Sequence, residues 1–352
     1  MKKRFLSIAL AAVVAASLCA CGSAEAVVTD TTEAVEEAVE EAVDEVVEEV
    51  SEAVEEEADD TVYTVGICQL VQHVALDAAT QGFQDALTEL LGDKVVFDLQ
   101  NAAGDSATCA TIANQFVSSN VDLIMANATP ALLAAAAATN ETPILGTSVT
   151  DYATALEIDN WTGTTGTNIS GTSDLAPLSE QAAMLNELFP DAVNVGLLYC
   201  SAEPNSKYQC SVIAEELAGL GYTTTEYTFA DSNDIASVTT QAVSECDVLY
   251  VPTDNTAAAN AEVINNVCLP AGIPVIAGEE GICSGCGVAT LSISYYDLGY
   301  TTGQMAYEIL VNGADVTTMD IQFAPNVTKE YNKAICEELG VVIPDGYVAI
   351  GE

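Results

Sequence analysis

Positive charge is almost missing from this chain. Of its seven basic residues, Lys2, Lys3 and Arg4 stand at the extreme N-terminus, and only Lys94, Lys207, Lys329 and Lys333 follow. With a net charge of −46, such a chain cannot neutralise a row of phosphates, which excludes nucleic acid as a partner. The same shortage disfavours adsorption to an anionic lipid surface. Histidine is scarcer still. His73 is the only one, so a Ser-His-Asp triad or a histidine-rich zinc site would have to be built on it alone. No phosphate-cradling GxxxxGK[ST] loop, no GxGxxG between a strand and a helix, and no GxSxG elbow is present. Glu279 and Glu280 are adjacent, and neighbouring residues rarely face one cleft as an acid/base pair. The chain therefore reads as a binding protein with no catalytic residue, metal or cofactor.

Cysteine is plentiful but offers no framework. Setting Cys19 and Cys21 aside from the eleven leaves an odd number, scattered through apparent strands and helices, where most read as small buried hydrophobes. Cys283-Ser-Gly-Cys286 is the one tight pair and reads as a disulfide or as inert loop thiols. The pairing of Cys200 with Cys210 is left open.

The N-terminal segment is a targeting signal over residues 1–20. Lys2-Lys3-Arg4 forms the charged region, and the apolar run Phe5 to Leu18 is too short to span a bilayer. Leu18-Cys19-Ala20-Cys21-Gly22 resembles a bacterial lipobox, which makes Cys21 the lipid-bearing first residue of the mature protein. Residues 21–60 are then a lipidated N-terminus and an acidic spacer. Val35, Val39, Val43 and Val47 share a helical stripe, but Glu36, Glu40, Asp44 and Glu48 stack like charges with no lysine to pair them. The expected location is extracytoplasmic, at the bacterial cell surface, held to the cell membrane by the lipid.

From Thr61 short Val/Ile-rich runs alternate with helical patterns, and the alternation restarts after the stretch Pro143 to Pro177. This is the pattern of parallel sheets covered on both faces, an α/β class with two Rossmann-like lobes. Residues 61–175 with 294–318 are assigned to lobe 1, and 176–293 with 319–352 to lobe 2. A strand is expected at Ile321–Phe323, a single helix at Thr256–Cys268 and a last helix at Thr328–Leu339. Thr129 is expected to cap a helix that has Pro130 at its first position.

Ligands of open parallel sheets sit beyond the carboxyl ends of the strands. Those ends supply Gln69, His73, Asn127, Thr129, Thr147 and Ser148 from lobe 1, and Asn205, Asp254, Asn255 and Glu280 from lobe 2. Hydroxyls and a helix N-terminus on one side suit a carboxylate, and acidic groups on the other suit an ammonium. A zwitterion such as an amino acid would meet Thr129, Thr147 and Ser148 through its carboxylate and Asp254 or Glu280 through its ammonium. A sugar or purine nucleoside carrier of the same fold, and a ligand-sensing lipoprotein without transport, are the alternatives.

Several stretches carry a family resemblance. Gln69-x-Val71-x-His73-x-Ala75-Leu76-Asp77 with Gly82-Phe83, Thr129-Pro130, Val149-Thr150-Asp151 and Asn168-Ile-Ser-Gly171-Thr-Ser-Asp174 come first. Asn205-Ser206, Val251-Pro-Thr-Asp-Asn255, Tyr295-Tyr-Asp-Leu-Gly299 and Gly303-Gln-Met-Ala306 follow in order. Together they resemble the TrpX-like substrate-binding proteins of ABC transporters. The resemblance implies a type I periplasmic-binding-protein fold with three hinge segments, a monomer that takes aromatic amino acids, and delivery to a permease with its ATPase. Two positions depart from the family pattern, where proline often stands: Val74 and Tyr152, both expected beside the cleft.

Overall fold

The computed structural model describes residues 61–324 and 327–351. The expected signal segment, Cys21 and the acidic spacer lie outside the described residues. Lobe 1 begins with β1 (Tyr63–Gln69), α1 (Val74–Leu91), β2 (Val95–Asn101) and α2 (Ser106–Ser118). It continues with β3 (Leu123–Asn127), α3 (Thr129–Ala138), β4 (Ile144–Val149), the short α4 (Tyr152–Ala155) and β5 (Ile169–Ser173). The spacing of Ala79, Phe83, Ala86 and Leu87 puts them on one stripe of α1, and all four are buried. Every residue of β3 and β4 is buried, as strands covered on both faces must be.

Lobe 2 repeats the scheme with α5 (Leu178–Leu188), β6 (Asn194–Cys200), α6 (Pro204–Leu220), β7 (Thr223–Phe229), α7 (Ile235–Glu245) and β8 (Val248–Val251). Then come α8 (Asn255–Ala259), α9 (Ala261–Ala271), β9 (Val275–Ala277), α10 (Glu280–Cys286) and β10 (Ala289–Ser292). The chain returns to the first lobe as α11 (Tyr295–Leu310) and β11 (Gln322–Phe323). It ends in the second with β12 (Thr328–Tyr331), α12 (Lys333–Leu339) and β13 (Val348–Ala349).

The first sheet has the order β11-β5-β4-β3-β1-β2 and is parallel throughout. The second has the order β13-β12-β10-β9-β8-β6-β7, with β12 antiparallel to β10. Three crossings therefore join the sheets: after β5, after β10 and after β11. Each turns the chain between two sheets whose strands end at one shared cleft, and this is what brings distant strand ends together.

Three sequence expectations change. Gln322–Phe323 pairs with β5 of the first sheet, so the third crossing follows Phe323 and not residue 318. Thr328–Tyr331 is a strand and not the start of a helix, because β10 offers it an antiparallel edge. Thr256–Cys268 is broken at Asn260, which leaves helical geometry between α8 and α9. All nine described cysteines are buried and unpaired, and Cys283 and Cys286 sit on α10 and not in a loop.

Candidate functional site

The lobe 1 side of the cleft is made by two strand ends held in rare backbone conformations. Ala128, between β3 and α3, has φ +91, and Ser148, at an irregularity in the β4–β5 register, has φ +54. Non-glycine residues seldom occupy this left-handed half of conformational space, and such strain persists where surrounding structure enforces it. Here the bond from Ala128 N to Thr147 O, 3.0 Å, ties the two ends together. The turn at Ala128 makes Ala128 itself the residue preceding the helix. Thr129 thus falls inside α3 and does not cap it, and its hydroxyl is free of that duty.

Thr129 Oγ1 and Ser148 Oγ are buried and make no hydrogen bond within the protein. Asn127 directs Nδ2 to Leu76 O (2.8 Å) and Thr80 Oγ1 (3.0 Å), which leaves its buried Oδ1 unpaired. On the lobe 2 side Asn205 gives Nδ2 to Thr253 O at 2.9 Å, and its Oδ1 is likewise buried and unpaired. Thr129, Asp151 and Thr154 of lobe 1 face Pro204, Asn205 and Tyr208 of lobe 2 across one small gap. Gln209 reaches from α6 to Thr150 Oγ1 at 3.4 Å. Of these four buried and unpaired groups, Thr129 and Asn205 come from opposite lobes and line that one gap. Leaving such groups unpaired costs about 1–3 kcal/mol each, so the arrangement is built for a polar guest.

Other residues expected at the site are committed elsewhere. Thr147 Oγ1 bonds Thr172 Oγ1 (3.1 Å), which bonds Thr302 Oγ1 (2.9 Å), a chain running under α11 and away from the cleft. Gln69 donates to Val71 O and to Asp77 Oδ1 and accepts from Thr80, which uses both its amide hydrogens. Asp254 precedes α8 as its cap, accepting from Ala257 N and Cys200 N, each at 2.7 Å. Burial, with Glu203 adding like charge, pushes its carboxyl up to about 8. Asp254 is thus a structural carboxyl, not a free partner for an ammonium. His73 and Asn255 bond each other, Nε2 to Oδ1 at 3.2 Å. Tyr152 turns inward, its hydroxyl donating to Thr172 O over Gly146 and Gly171, and does not lie beside the cleft.

Glu280 stands exposed on a second feature, a cavity of about 380 Å³ between the lobes. Val74, Ala78, Ile293 and Tyr295 form its apolar wall, and Glu330 and Ser292 stand with Glu280 as polar groups. Behind the lining residue Tyr295 stands a buried acid of the first crossing, and Glu279 is itself part of the lining. Tyr295 donates to Asp174 Oδ2 at 3.0 Å, and burial pushes Asp174 up to about 6 and Glu279 up to about 7. Among the described residues no group of metal-ligating side chains gathers, and no helix is long and apolar enough to cross a membrane.

Sequence reasoning missed Glu203, whose carboxylate organises the lobe 2 rim, and Asp174 at the first crossing. Glu203-Pro204 carried a readable signal, an acid just before a proline at a helix start. Asp174 closes one of the family-like stretches, but its pairing with Tyr295 left no local signal, because the two are over a hundred residues apart in sequence.

A family profile described as ABC transporter substrate binding protein matches residues 64–350. A tyrosine-binding protein of Clostridioides difficile (strain R20291) is 37% identical over 263 residues, 73% of this chain and 76% of that protein. The ABC domain in complex with L-Trp from Streptococcus pneumonia is 30% identical with TM-score 0.78, covering 82% of this chain and 100% of its own. A ligand-free, open substrate-binding protein with adhesive properties from Clostridium difficile is 36% identical with TM-score 0.63, covering 82% and 99%.

Proposed function

This chain belongs to the ABC transporter substrate-binding protein family, and from that premise we propose that it captures an aromatic amino acid between its lobes by hinge closure. The carrying observation is the set of buried, unpaired polar atoms at opposed strand ends: Thr129 Oγ1 and Ser148 Oγ on one side, Asn205 Oδ1 on the other. The hydroxyls, with the free N–H groups at the start of α3, receive the carboxylate. Asn205 Oδ1, on a side chain whose Nδ2 lies 3.4 Å from Glu203 Oε2, receives the ammonium. The side chain extends toward the 380 Å³ cavity, where Val74, Ala78 and Ile293 give apolar contact and Glu280 faces a hydrogen-bond donor at its far end. A guest touching both rims binds the closed arrangement better than the open one, and that difference drives closure. The L-Trp complex and the tyrosine-binding relative support the choice of ligand. Delivery is to a permease with its ATPase, from an extracytoplasmic position held by a lipid on Cys21, with no reaction catalysed.

Thermal shift and calorimetry with L-tyrosine, L-tryptophan, L-phenylalanine, tyrosinamide, N-acetyltyrosine, a hexose and adenosine test this. The free amino acids raise Tm, and the two blocked derivatives, each lacking one charge, do not. A rise with the hexose or adenosine and none with any amino acid would overturn the zwitterion assignment.

A further inference from the structure

At one edge of the cleft two side chains from opposite lobes meet directly. His73 precedes α1 in lobe 1 and Asn255 opens α8 in lobe 2, and His73 Nε2 lies 3.2 Å from Asn255 Oδ1. The polarity of this bond is imposed from lobe 2. The buried Glu203 carboxylate accepts from Asn255 N (2.9 Å) and Asn255 Nδ2 (2.7 Å), and from Thr256 N and Oγ1 (both 2.8 Å). A carboxylate so placed only accepts, so Asn255 must turn its NH₂ toward Glu203 and its carbonyl oxygen toward His73. That oxygen needs a donor, and His73 therefore carries its proton on Nε2. His73 Nδ1 is left as a buried atom with no partner, so the imidazole is held by this one cross-cleft bond.

We propose that the His73–Asn255 bond, oriented by Glu203, is a ligand-independent latch that holds the lobes together and slows the escape of a bound ligand. His73 and Asn255 are then positioning residues and not ligand contacts. The inference rests on the hinge-closure reading above. In an open arrangement both groups exchange this bond for water, so its net contribution is that of one ordinary buried hydrogen bond, about a three- to tenfold bias toward closure. Because the bond exists only once the lobes have met, its main effect is to slow dissociation. It also raises the fraction of closed protein before any ligand arrives, which the ligand's own contacts then multiply.

Stopped-flow release of L-tyrosine and L-tryptophan tests the latch in the wild-type protein and in His73→Ala, His73→Gln, Asn255→Ala and the double alanine variant. His73→Ala releases ligand about three to ten times faster, and its association rate does not fall. His73→Gln, whose amide offers an N–H at similar reach, recovers most of the loss. The double variant is no worse than the poorer single one. X-ray scattering of ligand-free protein shows a larger radius of gyration for His73→Ala than for wild type. Unchanged release from His73→Ala, or single effects that add in the double variant, overturns the latch. If neither amino acid binds the wild-type protein, the ligand reading has failed, and the scattering comparison alone decides the latch: equal radii refute it.

Discussion

The hydroxyl of Tyr295, at the second crossing between the lobes, donates to Asp174 Oδ2 at 3.0 Å, at the first crossing. Two hinge segments are thereby tied by a bond whose acceptor is a fully buried carboxyl with its other oxygen unpaired.

This pair sets a pH dependence. Burial raises Asp174 from the usual 3.8 to about 6 in the folded protein. Between those values the folded state holds a proton that the unfolded state has lost, so this group's contribution to stability falls as pH rises from about 4 through about 6, and stays low above. The loss is on the order of 3 kcal/mol. Melting temperature measured from pH 4.5 to 8 should show Asp174→Asn gaining on wild type across that window. Parallel curves would remove Asp174 as the source.

Neighbouring residues of β4 should separate fold from function. Thr147→Val breaks the Thr147–Thr172–Thr302 chain and lowers stability by about 1 kcal/mol while ligand affinity holds. Ser148→Ala removes an unpaired buried hydroxyl, so the ligand-free protein is at least as stable, while ligand binding weakens about tenfold or more. Ser148→Gly weakens binding equally but is more stable than Ser148→Ala, by up to about 1 kcal/mol, because glycine accepts φ +54 without strain. Denaturant melts and calorimetry on the three variants read both effects.

Helices α1 and α11 touch backbone to backbone. A Cβ on Gly82 would collide with the carbonyl oxygen of Tyr296, and one on Gly299 with that of Ala79. Tyr296 and Tyr300 then reach across to Asp85 (3.0 Å) and Glu89 (2.8 Å). Gly299→Ala must part the helices, and despite alanine's better helix propensity it should cost about 2 kcal/mol or more by urea unfolding. An unchanged midpoint would mean the crossing yields more easily than this geometry allows.

The lipid anchor proposed at Cys21 has a direct test. Cys21→Ala should move the protein from the detergent-rich to the aqueous phase on Triton X-114 partition of cell extracts, with ligand binding intact. Retention in the detergent phase would place the anchor elsewhere.

The alternation of elements was legible because buried parallel strands and amphipathic helices leave periodic apolar patterns that neighbours in sequence suffice to define. The strand ends were legible for the same reason, and Thr129, Ser148 and Asn205 were proposed from their places at or just past those ends. What each polar side chain does at those ends was not. Thr147 and Ser148 are alike by composition, yet Thr147 is bonded to Thr172 under α11 while Ser148, on a distorted backbone, keeps a buried hydroxyl without a partner. Gln69 and Asp254 sit at strand ends and spend their bonds on their own lobes.

Sequence by itself determined an acidic two-lobed α/β chain with polar residues beyond its strands, because local periodicity and charge count are properties of neighbours. Tertiary structure alone decided which of those residues are free, that His73 meets Asn255 and Tyr295 meets Asp174, and that Gln322–Phe323 joins the first sheet. Hydrogen-bond partners are chosen by proximity across the fold, and no local pattern encodes which of several polar groups a buried donor will find.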